Sequence, residues 1–228
     1  ARMVGFAFAI PFVYFAIRRR IPAGMSWKLA GLFALGGLQG AIGWYMVSSG
    51  LVERVDVSHY RLALHLTVAF LILALLLWSA WSLLPSAEAH RARPALSRHR
   101  RVAGLLLGLI FLQVVLGALV AGFKAGLIHN TWPLMDGQFF PSFEQMFPMT
   151  PRWINFFENV MTIQFTHRMV AYLMLLAAAI HAAILFAAGP RVSAPRAGIL
   201  LALMVLQAAL AVITLLHVSP LSLSLLHQ

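Results

Sequence analysis

The sequence predicts an all-α, polytopic membrane protein. Of the 228 residues, 61% are hydrophobic and only 10% charged. The apolar residues gather into seven runs, and most of the basic residues fall in every second connection between them. One soluble core of this length could not withdraw so much apolar surface from water. In hydrocarbon, a lone spanning segment satisfies its backbone only as a helix. The absence of cysteine removes disulfides, thiolate zinc sites, iron–sulfur clusters and a thiol nucleophile together.

The segments follow in order: A over about 1–17, B over about 27–50, C over about 59–84, D over about 102–123, E over about 153–187, F over about 196–217, and G from about 220. A and G are short for complete spans, and both ends of the chain fall within apolar sequence, so a fragment of a longer protein is expected. Segment E is too long for one upright span, which places Glu158 and Asn159 outside the hydrocarbon. The organisation read from this is an N-terminal helical half over residues 1–84, a basic linker over 85–101 and a C-terminal helical half over 102–228.

Charge sets the orientation. The A–B connection with the start of B carries Arg18, Arg19, Arg20 and Lys28. The C–D connection carries Arg91, Arg93, Arg98, Arg100 and Arg101 with Glu88, and the E–F connection carries Arg191 and Arg196. The alternate connections and adjoining helix starts mix Arg54, Arg61, Lys124 and Arg152 with Glu53, Asp56, Asp136, Glu144 and Glu158. The positive-inside rule puts the first set in the cytoplasm (or matrix) and the second outside. Confinement of the +11 net charge to loops, without interleaved aromatics, excludes a nucleic-acid stripe. The long D–E connection, with Trp132, Phe139, Phe140, Phe143, Phe147 and Trp153, suits the outer interface, where amphipathic aromatics collect.

Three segments repeat a pattern at their glutamines. B reads Gln39-Gly40-Ala41-Ile42-Gly43, D reads Gln113-Val114-Val115-Leu116-Gly117, and F reads Gln207-Ala208-Ala209-Leu210-Ala211. Each next helix returns with a His near its outer end: His65, His167 and His227. The unit is a hairpin, Gln helix up and His helix down, and its parity predicts a further His just upstream of Ala1. Taken alone, the glutamines also fit a packing role. An ionisable side chain inside a span is a functional candidate, and neutral imidazole is a common metal ligand. His90 and His99 read as solvated loop residues, and His59 and His129 as interfacial. His217 reads as a cap or a pocket residue, and His181 lies in the inner half of E. His65, His167 and His227 share one depth on repeat-related helices. With carboxylates scarce at that depth, bis-His haem fits better than a facial triad or zinc. A stacked dihaem arrangement would need His pairs 14 apart on two helices; His167 and His181 have that spacing, but Ser79 stands 14 beyond His65.

Several stretches resemble one family, the haem A synthases. They are GAIGWYMVSSG at 40–50, SHYRLALHL at 58–66, NTWPLMDG at 130–137, NFFEN at 155–159, QFTHR at 164–168 and the closing His227-Gln228. The resemblance covers essentially the whole chain. It implies eight helices in two four-helix bundles related by pseudo-twofold symmetry, with the first helix and the start of the second absent and the last cut short. It implies oxidation of a ring methyl of haem O to a formyl group, giving haem A for cytochrome c oxidase. By the same resemblance His167 and His227 ligate a haem b, and His65 lies on the haem O side as a ligand of the substrate iron. A catalytic Glu and partner His in an E-x-x-H-R motif fall upstream of Ala1. Arg168, with Arg61, is a candidate for the haem propionates. The implied setting is a bacterial inner membrane, with basic loops cytoplasmic and haem sites near the periplasm. The implied partners are haem O synthase as substrate donor, cytochrome c oxidase assembly factors and membrane lipid, with no nucleic acid; homo-oligomerisation is left open. Competing readings are a non-catalytic b-type cytochrome or haem carrier, and a transporter whose Gln and His line a polar path.

Overall fold

The computed structural model describes residues 2–48, 57–84, 97–189 and 193–228. Glu53, Arg54, Asp56, Glu88, His90, Arg91, Arg93 and Arg191, used above for orientation or weighed as histidines, lie outside the described residues. The described chain is almost wholly helical, with one isolated bridge between Met135 and Gln138. It falls into two compact units, Ala1–Pro94 and Ala95–Gln228. The division lies inside the stretch read as the basic linker.

The first unit contains α1 (Arg2–Ile17), α2 (Met25–Ser48) and α3 (His59–Ser82). α1 packs on α2 and α2 on α3. Phe8 of α1 stacks on Phe33 of α2 with ring centroids 6.2 Å apart, a contact that aligns the two helices through apolar area and ring geometry.

The second unit begins with α4 (Ser97–Gly122), followed by a 3-10 turn at Ala125–Leu127. The outer connection then folds into the short helices α5 (Phe143–Met146) and α6 (Asn155–Glu158), with a 3-10 turn at Arg152–Ile154 between them. α7 (Val160–Ala188), α8 (Ala194–Leu216) and α9 (Leu221–His227) complete the unit. α7 packs against both α4 and α8, and α9 folds back on α8. Small residues let the backbones approach: Ala178 of α7 meets Leu106 of α4 and Met204 of α8, and Ala182 meets Ala194 and Ala197. This is how helices associate where lipid already solvates apolar side chains.

Five helices are long and apolar enough to cross a membrane: α2, α3, α4 from Arg98, α7 and α8. No more than 22% of any of their apolar windows is buried within the protein, so the apolar surface faces outward, as at Trp78, Leu105 and Leu206. Lipid, not a protein core, solvates those side chains.

Two boundaries differ from the hydropathy reading. α4 starts at Ser97, five residues before the apolar run, and carries Arg98, Arg100 and Arg101 in its first turns. Hydropathy marks the hydrocarbon stretch, whereas the helix continues past it into the polar zone. Segment E is not continuous. Asn159 is extended (φ −95°, ψ 116°) and separates α6 from α7. Its side-chain oxygen accepts from the Thr162 N–H at 3.2 Å, and its amide donates to the Gln145 carbonyl at 3.1 Å. A new N-cap, not a bend, therefore begins α7.

Candidate functional site

The three glutamine–histidine hairpins place the same groups together. In the first unit the Gln39 amide nitrogen lies 3.3 Å from His65 Nε2 and donates to the His65 carbonyl at 3.0 Å. In the second unit Gln113 stands 3.2 Å from His167 Nε2 and donates to the His167 carbonyl at 3.2 Å. Gln207 repeats the carbonyl bond to His227, but meets that ring at Nδ1, 3.1 Å away. The carbonyl contact settles the amide orientation, since only the nitrogen can donate there. The glutamines are therefore bonded to the histidines, beyond the packing role that residue type alone would allow.

The rings are seated on the opposite helix. A Cβ built on Gly43 would lie 3.1 Å from His65 Cε1, and one on Gly117 would lie 3.2 Å from His167 Cε1. Both distances are closer than carbon atoms pack without adjustment. The Nδ1 atoms of His65 and His167 are buried with no protein partner. His167 and His227 belong to one unit, on α7 and α9. Among the described residues no three His, Cys, Asp or Glu side chains converge on a common point. Single imidazoles from separate helices suit a metal that arrives with the rest of its ligands, as the iron of a porphyrin does. The residues present thus fit a haem.

The outer end of α7 organises the long connection above it. Gln164, Arg168 and Tyr172 recur every four residues and share one face. Gln164 donates to the His129 carbonyl at 2.8 Å, and Arg168 to the same carbonyl at 3.3 Å and to Leu134 at 3.5 Å. Tyr172 accepts from the Trp132 indole N–H at 2.9 Å. Asp136 and Gly137 both have positive φ (51° and 85°), and Met135 and Gln138 exchange N–H···O bonds of 2.8 and 3.1 Å around them. This is a two-residue hairpin turn of the kind Asp-Gly favours. His129 Nδ1 donates to Asp136 Oδ2 at 2.6 Å, and the Asp136 N–H donates to Thr131 Oγ1 at 2.8 Å. The loop is thus a fixed cover on α7.

Arg168 therefore directs its terminal nitrogens at loop carbonyls, while its Nε is buried without a partner. Arg61 sits 4.3 Å over the Tyr45 ring and donates to its hydroxyl at 3.3 Å. His217 is a cap, its Nδ1 donating to the Ile213 carbonyl at 2.8 Å. His99, read as a solvated loop residue, instead lies in α4 with its ring 5.9 Å from that of buried His181. Asn155, which residue type alone did not single out, is fully buried. It accepts from the Met149 N–H and donates to the Met149 and Arg152 carbonyls.

These features define a multi-pass helical membrane protein in which repeated hairpins each present one imidazole, held by a glutamine of the preceding helix. Comparison with known proteins gives the same class a family: the chain belongs to the cytochrome oxidase assembly protein family, whose sequence pattern matches residues 1–228. It is 48% identical over 229 residues to a protein named heme A synthase from Chelativorans sp., covering all of this chain and 62% of that relative. Relatives of the same name from Parvibaculum lavamentivorans and Azorhizobium caulinodans are 47% and 48% identical, each over all of this chain and over 63% and 64% of their own lengths. The chain thus spans somewhat under two thirds of the relatives it matches. No solved structure matches it.

Proposed function

We propose that this chain forms the larger part of a haem A synthase, a membrane oxidoreductase that converts a ring methyl of haem O to a formyl group. In this reading His167 and His227 hold a haem b through its iron, in the C-terminal helical half beginning with α4. His65 holds the iron of the substrate haem O in the N-terminal half, with the second ligand and a catalytic Glu contributed from upstream of Ala1. The bound haem supplies the redox chemistry. The chain's own groups would position it: the imidazoles would hold the iron, Gly43 and Gly117 would give the rings clearance, and the cover formed by residues 129–138 would exclude water from the outer side. Arg168 supports that cover and has an Nε–H left for a propionate.

The observation that carries the reading is the His167–His227 pair, within one unit and built on the same glutamine hairpin that presents His65. The names of the relatives support the reaction. We place the protein in a bacterial inner membrane, with Arg98, Arg100, Arg101 and Arg196 on the cytoplasmic side and the histidines toward the periplasm. Haem O synthase would supply the substrate, and the product would go to cytochrome c oxidase during its assembly. The test is co-expression of the full-length protein with haem O synthase, followed by chromatography of the extracted haems. Haem A is expected; haem O alone would contradict the proposal.

A further inference from the structure

The glutamines have no part in the reaction proposed above, yet they make one two-point contact three times over. An amide inside an apolar helix is costly unless its donors are used. Packing alone gives no reason for Gln39, Gln113 and Gln207 each to reach both the ring and the carbonyl of a single histidine. The ring contact carries chemical information. An amide nitrogen has only hydrogens to offer, so the nitrogen it meets must bear the lone pair. At His65 and His167 that nitrogen is Nε2, and the ring proton resides on Nδ1. This is the tautomer an imidazole needs in order to ligate through Nε2.

The residue one turn beyond each glutamine lies on the same helix face. It is Gly43 in the first hairpin and Gly117 in the second, where an added Cβ would crowd Cε1. In the third it is Ala211, and there the ring meets its glutamine through Nδ1 instead. The hairpin that lacks the glycine is the one whose ring is turned.

We propose that Gln39 and Gln113 are positioning residues that preset the tautomer and ring face of His65 and His167. Each amide holds the Nε2 lone pair until a metal takes it, and keeps the ligand's backbone in place through the carbonyl bond. Gly43 and Gly117 provide the clearance that this ring face requires. The proposal uses the haem reading above for its consequence in metal binding, and the hydrogen-bond geometry alone for the tautomer.

The experiment uses the full-length protein with 15N-labelled histidine, prepared haem-free and haem-loaded. The His167 ring signals are assigned by their loss in His167→Ala. In haem-free wild type we expect a single tautomer with a bare Nε2, and in Gln113→Leu a mixture. In loaded protein the iron takes the Nε2 lone pair from the amide, and Gln113→Leu, which also loses the bond to the His167 carbonyl, is expected to shift the electron paramagnetic resonance g-values of the haem. Gly117→Ala keeps the glutamine and displaces only the ring; it should shift the same g-values, and it carries the test if Gln113→Leu does not accumulate. A purely structural role would lower thermal stability and leave tautomer and g-values unchanged, and that result overturns the proposal. Wild type without haem, but with a tautomer that depends on Gln113, would defeat the functional reading and leave the positioning role standing. Normal bis-imidazole haem in wild type and in both variants would do the reverse.

Discussion

Replacing Arg168 with methionine keeps an apolar stem against α7 but removes the hydrogen bonds to the Leu134 and His129 carbonyls, 3.5 and 3.3 Å long. Both are at the weak end of the distance range, and removing a buried charge returns part of its desolvation cost. One full charge-assisted bond, about 2 kcal/mol, is therefore a better estimate than two. The His129 carbonyl is not orphaned, because Gln164 still donates to it at 2.8 Å. A loss of about 2 kcal/mol raises the open population of the cover about thirtyfold. Amide exchange at Met135 and Gln138, whose N–H groups close the Asp136-Gly137 turn, reads that opening. Arg168→Met should exchange about thirtyfold faster there. Gln164→Leu, which loses one neutral bond of about 1 kcal/mol, should exchange about fivefold faster. The double variant should exceed the product of the two, because it strips the His129 carbonyl of both donors and adds an orphan cost of about 1–3 kcal/mol. Exchange in Arg168→Met within twofold of wild type, or a double variant no faster than the product, would refute the account of the cover.

Other expectations follow from the same structure. Asn155→Ala breaks three bonds at a fully buried site and should cost about 2–4 kcal/mol, read as a lower unfolding temperature in detergent. Asn159→Ala removes the cap of α7 and should cost about 1 kcal/mol, with faster exchange at Thr162 while exchange at Ala178 stays as in wild type. Gly137→Ala meets no atom but is strained by φ +85°, a cost of about 1 kcal/mol, visible as faster exchange at Gln138. His65→Ala should abolish haem A formation while leaving a bis-imidazole haem in the purified protein.

Much of this arrangement was legible from residue order alone, because the membrane imposes simple rules. Apolar runs mark the helices, alternating basic loops suggest their direction, and His65, His167 and His227 stand out because imidazole is costly in hydrocarbon. The glutamine repeat was visible, but its meaning was not: Gln in a helix is compatible with packing, and only the three-dimensional contacts direct its amide at the next helix's histidine. The glycine four residues on, at 43 and 117, was a usable signal, with Ala211 as its exception. The break at Asn159 escaped hydropathy because Val160 continues the apolar run directly; its cue was an Asn three residues before Thr162, an N-cap spacing. The carbonyl contacts of Arg168 depend on a loop more than thirty residues away in sequence. Composition offers no sign of such a contact.

The central claim is that His167 and His227 grip one iron from two helices of the same unit. Low-temperature electron paramagnetic resonance of the purified full-length protein tests it directly. A low-spin bis-imidazole signal should be present in wild type and in His65→Ala, and should be lost in His167→Ala and in His227→Ala separately. The same low-spin signal surviving in His227→Ala would show that the second ligand comes from elsewhere.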